Sequence, residues 1–263
     1  MTKRFVRRQR SGIALTERDL RAVEAVFEAR YMTNQLIARL LYKPTTFSSC
    51  KQRLRYLFDL GYLKKRKAQV NQPDVYYLGL IGKRYIVSLG EHTREVVDRI
   101  AGVGGEGAVA PSLMLRHELT LSRLYVNARL ECRECGWDMH WKNTRSLESE
   151  RLGIEPDARI VVINGRKSKQ AFIEFTAAMP SAKELRGKIE GYAAYWERTG
   201  SPMPVLWFTT SRSKINRLRE GIQKSAYRDY FLVGSIEDAA RFLSGRVWWW
   251  SEADDMIQWL GGS

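Results

Sequence analysis

Residues 154–176, IEPDARIVVINGRKSKQAFIEFT, constrain the fold more than any other stretch of this chain. Two apolar runs, 156–164 and 170–176, lie on either side of an Asn164-Gly165 dipeptide. Strand-like runs around Asn-Gly predict paired antiparallel strands closed by a turn. Such strands bring Asp157 and Glu174 together at one edge of a sheet. A carboxylate pair of that kind can hold Mg²⁺ against a phosphate, as a metal-dependent nuclease requires. The same chemistry needs a cation close to the pair, to orient water and neutralise developing charge, a place that a Lys two residues past the Glu would fill. Position 176 is Thr. Whether the chain cuts nucleic acid or only holds it turns on that departure.

At 263 residues and 30.4 kDa the chain has room for one large domain or two ordinary ones, each with its own core. Its formal net charge of +15 makes a polyanion the expected partner. The charge is unevenly placed. Residues 1–100 hold 21 Lys and Arg against 9 Asp and Glu, whereas the remainder holds 23 against 20. A basic front and a near-neutral back imply two modules with different tasks. No apolar run approaches the ~20 residues of a membrane span. The opening MTKRFVRRQR is followed by no apolar segment and is not a secretory signal. The expected location is therefore the cytoplasm, on the nucleoid, with no membrane partner. Cys132 and Cys135 form a C-x₂-C pair, but only His140 stands near it, too little for four zinc ligands. They read as reduced thiols, and no resident cofactor is expected.

The front half reads as a winged helix-turn-helix over residues 15–100, preceded by a basic arm over 1–14. Thr16 opens a helix, with Asp19 in the capping-box position and Leu20, Val23, Val26 and Phe27 at helical spacing. Thr33 caps a second helix. After Lys43-Pro44, Thr45 or Thr46 starts a third, which Gly61 stops. Strand-like runs at 62–70 and 75–80, joined by Asn71-Gln72-Pro73-Asp74, make the hairpin.

Projected at 100° per residue, the third helix puts Phe47, Cys50, Leu54, Leu57 and Phe58 on a core face. Ser48, Ser49, Gln52, Arg55 and Tyr56 fall opposite, with Lys51 and Arg53 on the flanks. That is the composition of a helix that reads base edges, though any surface helix also carries polar residues opposite its core. Two further cationic groups favour double-stranded DNA. They are the hairpin residues Lys64, Lys65, Arg66 and Lys67, and the arm residues Lys3, Arg4, Arg7, Arg8 and Arg10. Residues 101–111, AGVGGEGAVAP, form the linker, and 112–263 the second domain.

In the second domain the expected order is a helix over 113–132, strands at 137–142, 156–164 and 170–176, a helix over 182–196, and a strand at 203–210. A helix over 214–226 and a strand at 230–233 follow. This α-β-β-β-α-β order resembles the core of PD-(D/E)XK nucleases, which gives an α+β or α/β fold class overall. Both halves together resemble the replication-relaxation family of bacterial mobile-element proteins. The residues carrying the resemblance are LTERDLRAVEAVFEARYMT from Leu15, LFDLGYL from Leu57, and the 80–85 tract. His117, Pro156-Asp157-Ala158, Phe172-Ile173-Glu174, and Lys188-Ile189 with Tyr192 add to it. The resemblance implies winged-helix DNA binders of plasmids and integrative elements, acting in replication, relaxation or control beside replication or conjugation proteins. It also implies a nuclease-like second domain that often lacks a complete catalytic set.

Two functions follow. In one, the chain binds a specific duplex site as a homodimer, and its second domain dimerises or grips DNA. In the other, it is a Mg²⁺-dependent endonuclease in which Asp157 and Glu174 hold the metal. Glu118 would then be a third carboxylate and Lys188, displaced onto the next helix, the missing cation. Glu184, four residues before Lys188, offers that lysine an ordinary helical ion pair instead. Glu174 within an apolar run is costly unless it is paired or metal-bound. Trp248, Trp249, Trp250 and Trp259 read as an interface or a lid, with base stacking as the lesser alternative.

Overall fold

A computed structural model describes residues 12–67, 72–101, 112–249 and 256–260. The arm residues Lys3, Arg4, Arg7, Arg8 and Arg10, residues 68–70 of the first expected hairpin strand, Asn71 of its expected turn, Trp250 and all of the expected linker but Ala101 lie outside them. The chain forms two compact units, Met1–Val126 and Asn127–Ser263.

In the first unit, α1 (Glu17–Ala29) starts at a complete capping box. The Thr16 N–H and hydroxyl donate to Asp19 Oδ2 at 2.7 and 2.8 Å, and the Asp19 N–H donates back to Thr16 Oγ1. The helix ends at Arg30, whose φ of 65° is unusual for a residue with a side chain. That strained position is tied down: Arg30 Nε donates to the Ile100 carbonyl at 3.2 Å, and its guanidinium pairs with Glu118. The two-residue strand β1 (Met32–Thr33) leads into α2 (Asn34–Leu41), capped by the Thr33 hydroxyl as expected.

Pro44–Thr46 form a 3₁₀ turn before α3 (Phe47–Asp59). Cys50, Leu54, Leu57 and Phe58 are its buried stripe, and Gly61, at φ 83°, stops it. Strands β2 (Leu63–Lys67) and β3 (Asp74–Leu78) pair antiparallel from Leu63↔Leu78 to Lys67↔Asp74. With β1 added beyond β3, they make a three-stranded sheet of order β1-β3-β2. Gly79 lets the chain leave this sheet. A Cβ there would stand 2.2 Å from the Gly61 carbonyl oxygen, where no side chain fits. Helices α4 (Leu80–Ser88), α5 (Arg94–Ala101) and α6 (Ser112–Cys135) follow.

The second unit is built on a seven-stranded mixed sheet of order β10-β9-β8-β7-β6-β5-β4. After β4 (Asp138–Asn143) comes a one-turn α7 (Thr144–Leu147) that sequence periodicity is too short to reveal. Then β5 (Ala158–Asn164) and β6 (Lys167–Thr176) form the antiparallel hairpin expected around Asn164-Gly165. Crossover helices α8 (Ala182–Thr199) and α9 (Arg212–Ile222) set β7 (Val205–Thr209) and β8 (Phe231–Ser235) parallel to β6. Burial tracks this pairing. All five residues of β7 are buried, as a central parallel strand requires. In β6, residues 167–170 are exposed, and burial begins at Ala171, beside the point where β7 starts to pair. The aromatic core joins Phe172, Tyr192, Trp196, Trp207 and Phe231.

Trp248 and Trp249 are not a lid. They form β9 (Trp248–Trp249), antiparallel to β8, with β10 (Met256–Ile257) beyond it. Trp248 is fully buried against Phe208, and its indole N–H donates to the Phe242 carbonyl at 2.8 Å. No helix among the described residues is long and apolar enough to cross a membrane.

Candidate nucleic-acid interface and carboxylate site

On α3 the expected reading face separates into two groups. Ser48, Ser49, Lys51 and Gln52 are exposed at the helix's amino-terminal end. Lys51 has its ammonium 4.6 Å from the Phe47 ring centre, and Gln52 Nε2 donates to the half-buried Tyr56 hydroxyl at 2.7 Å. Arg53, by contrast, turns inward. Its Nε donates to Asp19 Oδ1 at 2.9 Å, and its Nη2 to Asp19 Oδ2 and, at 2.9 Å, to the Ala14 carbonyl. Burial works to raise the Asp19 carboxyl, but Arg53 and the Thr16 hydrogen bonds hold it below its ordinary value. Arg53 is thus a bolt between α3 and the cap of α1, which corrects its placing among the DNA contacts.

Arg55 Nε reaches Asp59 at 3.1 Å, one helical turn on. On β2, Lys65 Nζ donates to Asp74 at 3.0 Å and is 11% exposed, so it braces the hairpin. Lys64 and Arg66 are half-buried on the same strand, and Lys67 ends it.

The second constellation lies in the Asn127–Ser263 unit. Asp157 immediately precedes β5, and the register Ala158↔Ile173 sets it beside Glu174. Glu174 lies on β6 and Asp157 just before β5, both interior strands since β4 flanks β5 and β7 flanks β6, so the pair is not on an edge strand. Asp157 Oδ2 accepts the Phe175 N–H at 2.7 Å, and its carbonyl accepts the Thr144 N–H and hydroxyl. Glu174 is fully buried. Its Oε2 accepts from Lys188 Nζ and its Oε1 from the Tyr192 hydroxyl, each at 2.5 Å. Lys188 and Tyr192 are four apart on α8 and so share a face. The Lys188 ammonium also lies 5.6 Å from the Trp207 ring centre.

Glu184 does not pair with Lys188. It closes the capping box of α8 with Ser181, whose N–H and hydroxyl both donate to it at 2.8 Å. Glu118 is committed to Arg30 within the first unit, so its role as a third metal ligand is corrected. Among the described residues, no three His, Cys, Asp or Glu side chains gather where they could hold a metal ion.

Burial pushes the Glu174 carboxyl up to about 8, against the pull of the Lys188 ammonium. For Lys188, burial works to lower the ammonium, but the Glu174 and Asp157 carboxylates more than reverse this and raise it. Tyr192 is driven well above its ordinary value by burial and by Glu174. A carboxyl with a raised folded-state value favours folding fully below its ordinary 4.5, and that favour is lost as pH climbs through about 8. Urea unfolding should therefore show wild type losing stability relative to Glu174→Gln between about pH 5 and pH 8.5. The loss should be on the order of a few kcal/mol. Parallel pH profiles of the two proteins would contradict this.

Tyr192, which entered the sequence reading only through the family resemblance, is a further neighbour of Glu174. Its spacing from Lys188, above a Glu in an apolar strand, was the available signal.

A search of curated proteins finds no match. Among solved structures, the restriction endonuclease FokI is similar at 11% identity and a TM-score of 0.29. That match covers 86% of this chain and 43% of the enzyme, so the chain spans less than half of that protein's length. The replication-relaxation family matches residues 23–205, from α1 to the first residue of β7. This range takes in α3, the β2–β3 hairpin, Asp157, Glu174 and Lys188. The chain belongs to the replication-relaxation family.

Proposed function

We propose that this chain binds double-stranded DNA through a winged helix in its first unit, in the replication, relaxation or transcriptional control of a bacterial plasmid or integrative element. One observation carries the reading: α3 presents Ser48, Ser49, Lys51 and Gln52 to solvent, and a hairpin with Lys64 and Arg66 follows it. Gln and Ser side chains pair with base edges, while Lys neutralises phosphate. The exposed amino-terminal end of α3 matches how recognition helices enter a major groove. On this reading the molecule works as a homodimer on a two-fold site, beside replication or conjugation proteins.

In the same proposal, the second unit is a PD-(D/E)XK-like scaffold without catalysis that dimerises or grips DNA. The β5–β6 ribbon suits the grip, because Arg166, Lys167 and Lys169 are exposed near its tip. The nuclease alternative draws on Asp157, Glu174 and Lys188 lying together, with Mg²⁺ as its cofactor. An ammonium already hydrogen-bonded to Glu174 is poorly placed to activate a water.

Incubating the full chain with supercoiled plasmid and Mg²⁺ tests both parts. The expected result is a retarded but unnicked plasmid. Mg²⁺-dependent nicking that Asp157→Ala abolishes would overturn the non-catalytic reading, and an unretarded plasmid would overturn the DNA-binding one.

A further inference from the structure

We propose that the Lys188 ammonium fills the cation position between Asp157 and Glu174, so that this carboxylate pair takes no divalent metal in the folded chain. The inference is independent of the DNA-binding proposal, because it concerns only how one buried site is neutralised.

A fully buried carboxylate must be neutralised by a proton, a metal ion or a cationic side chain. Once the Glu174 proton leaves, the cation comes from the chain itself, at 2.5 Å from Glu174 Oε2. Its placement is built in. Lys188 stands one helical turn before Tyr192, and both converge on the same carboxylate from α8. The Trp207 ring, 5.6 Å away, adds a face that favours a cation. The lysine side chain is 38% exposed while Glu174 is closed to solvent, so the ammonium covers the carboxylate from the open side.

Mg²⁺ would need near-octahedral oxygen ligands at roughly 2.0–2.1 Å. The residues present do not fit that demand. Both Glu174 oxygens are engaged by Lys188 and Tyr192, and Asp157 Oδ2 accepts the Phe175 N–H. A divalent ion beside the ammonium would also face like-charge repulsion at contact distance.

Mn²⁺ titration followed by electron paramagnetic resonance tests this on the full chain. Wild type and Asp157→Asn should give the same isotherm. Lys188→Met, which keeps the aliphatic stem and removes the charge, should gain one Mn²⁺ per chain, and Lys188→Met with Asp157→Asn should lose it again. A wild-type site that Asp157→Asn abolishes would overturn the proposal, as would a folded Lys188→Met that gains no Mn²⁺. Should Lys188→Met fail to fold, the comparison of wild type with Asp157→Asn decides alone.

Discussion

Arg53→Ala is expected to destabilise the first unit by about 3–5 kcal/mol, the usual cost of stranding one partner of a buried ion pair. Asp19 is 1% exposed and is held by two guanidinium nitrogens. Without Arg53 the carboxylate keeps only the Thr16 bonds of its capping box, and both the start of α1 and its seat against α3 loosen together. Arg53→Lys should recover only part of the loss, since an ammonium cannot reproduce the paired geometry of the guanidinium fork. Urea denaturation of each variant measures this. A loss under about 1 kcal/mol, the range of exposed pairs, would contradict the bolt. Any fall in DNA affinity should track the unfolded fraction and leave base preference unchanged.

Lys51→Glu combined with Lys64→Glu should do the reverse, weakening DNA binding with the fold intact. Lys51 is exposed and Lys64 half-buried, and among the described residues neither has an acidic partner. Stability should stay within about 0.5 kcal/mol of wild type. Each lost phosphate contact removes about 0.9 from the magnitude of the slope of log affinity against log salt, so the double variant should be shallower by roughly 2. Affinity should fall by ~10-fold or more on every duplex alike, because phosphate contacts carry no sequence information. Gln52→Ala should behave differently, relaxing base preference while leaving the slope unchanged. Fluorescence anisotropy on matched duplexes separates the two effects. Unchanged binding by the double variant would remove α3 and the hairpin from the interface.

Local rules made much of this molecule legible, and long-range geometry hid the rest. The Thr16–Asp19 capping box, the Thr33 cap, the Gly61 stop and the Asn164-Gly165 hairpin involve residues within a few positions of one another. Asp157 and Glu174 could be paired in advance because the hairpin register sets them side by side. For Lys188 the sequence left two roles open, the cation beside Asp157 and Glu174 or a helical pair with Glu184. Sequence spacing offered Glu184, but the first turn of α8 uses that carboxylate for its own cap, and the lysine reaches instead to a strand 14 residues back. Arg53 misled because its partner lies 34 residues away on a different helix. The Trp248-Trp249 pair is apolar enough for a lid or a core. Only its pairing with β8 decides between them.

The most direct measurement is the affinity of the full chain for a labelled DNA duplex across a series of salt concentrations. The proposed interface predicts binding in dilute salt and a log affinity that falls linearly and steeply with log salt. No binding at the lowest salt, or an affinity indifferent to salt, would contradict it.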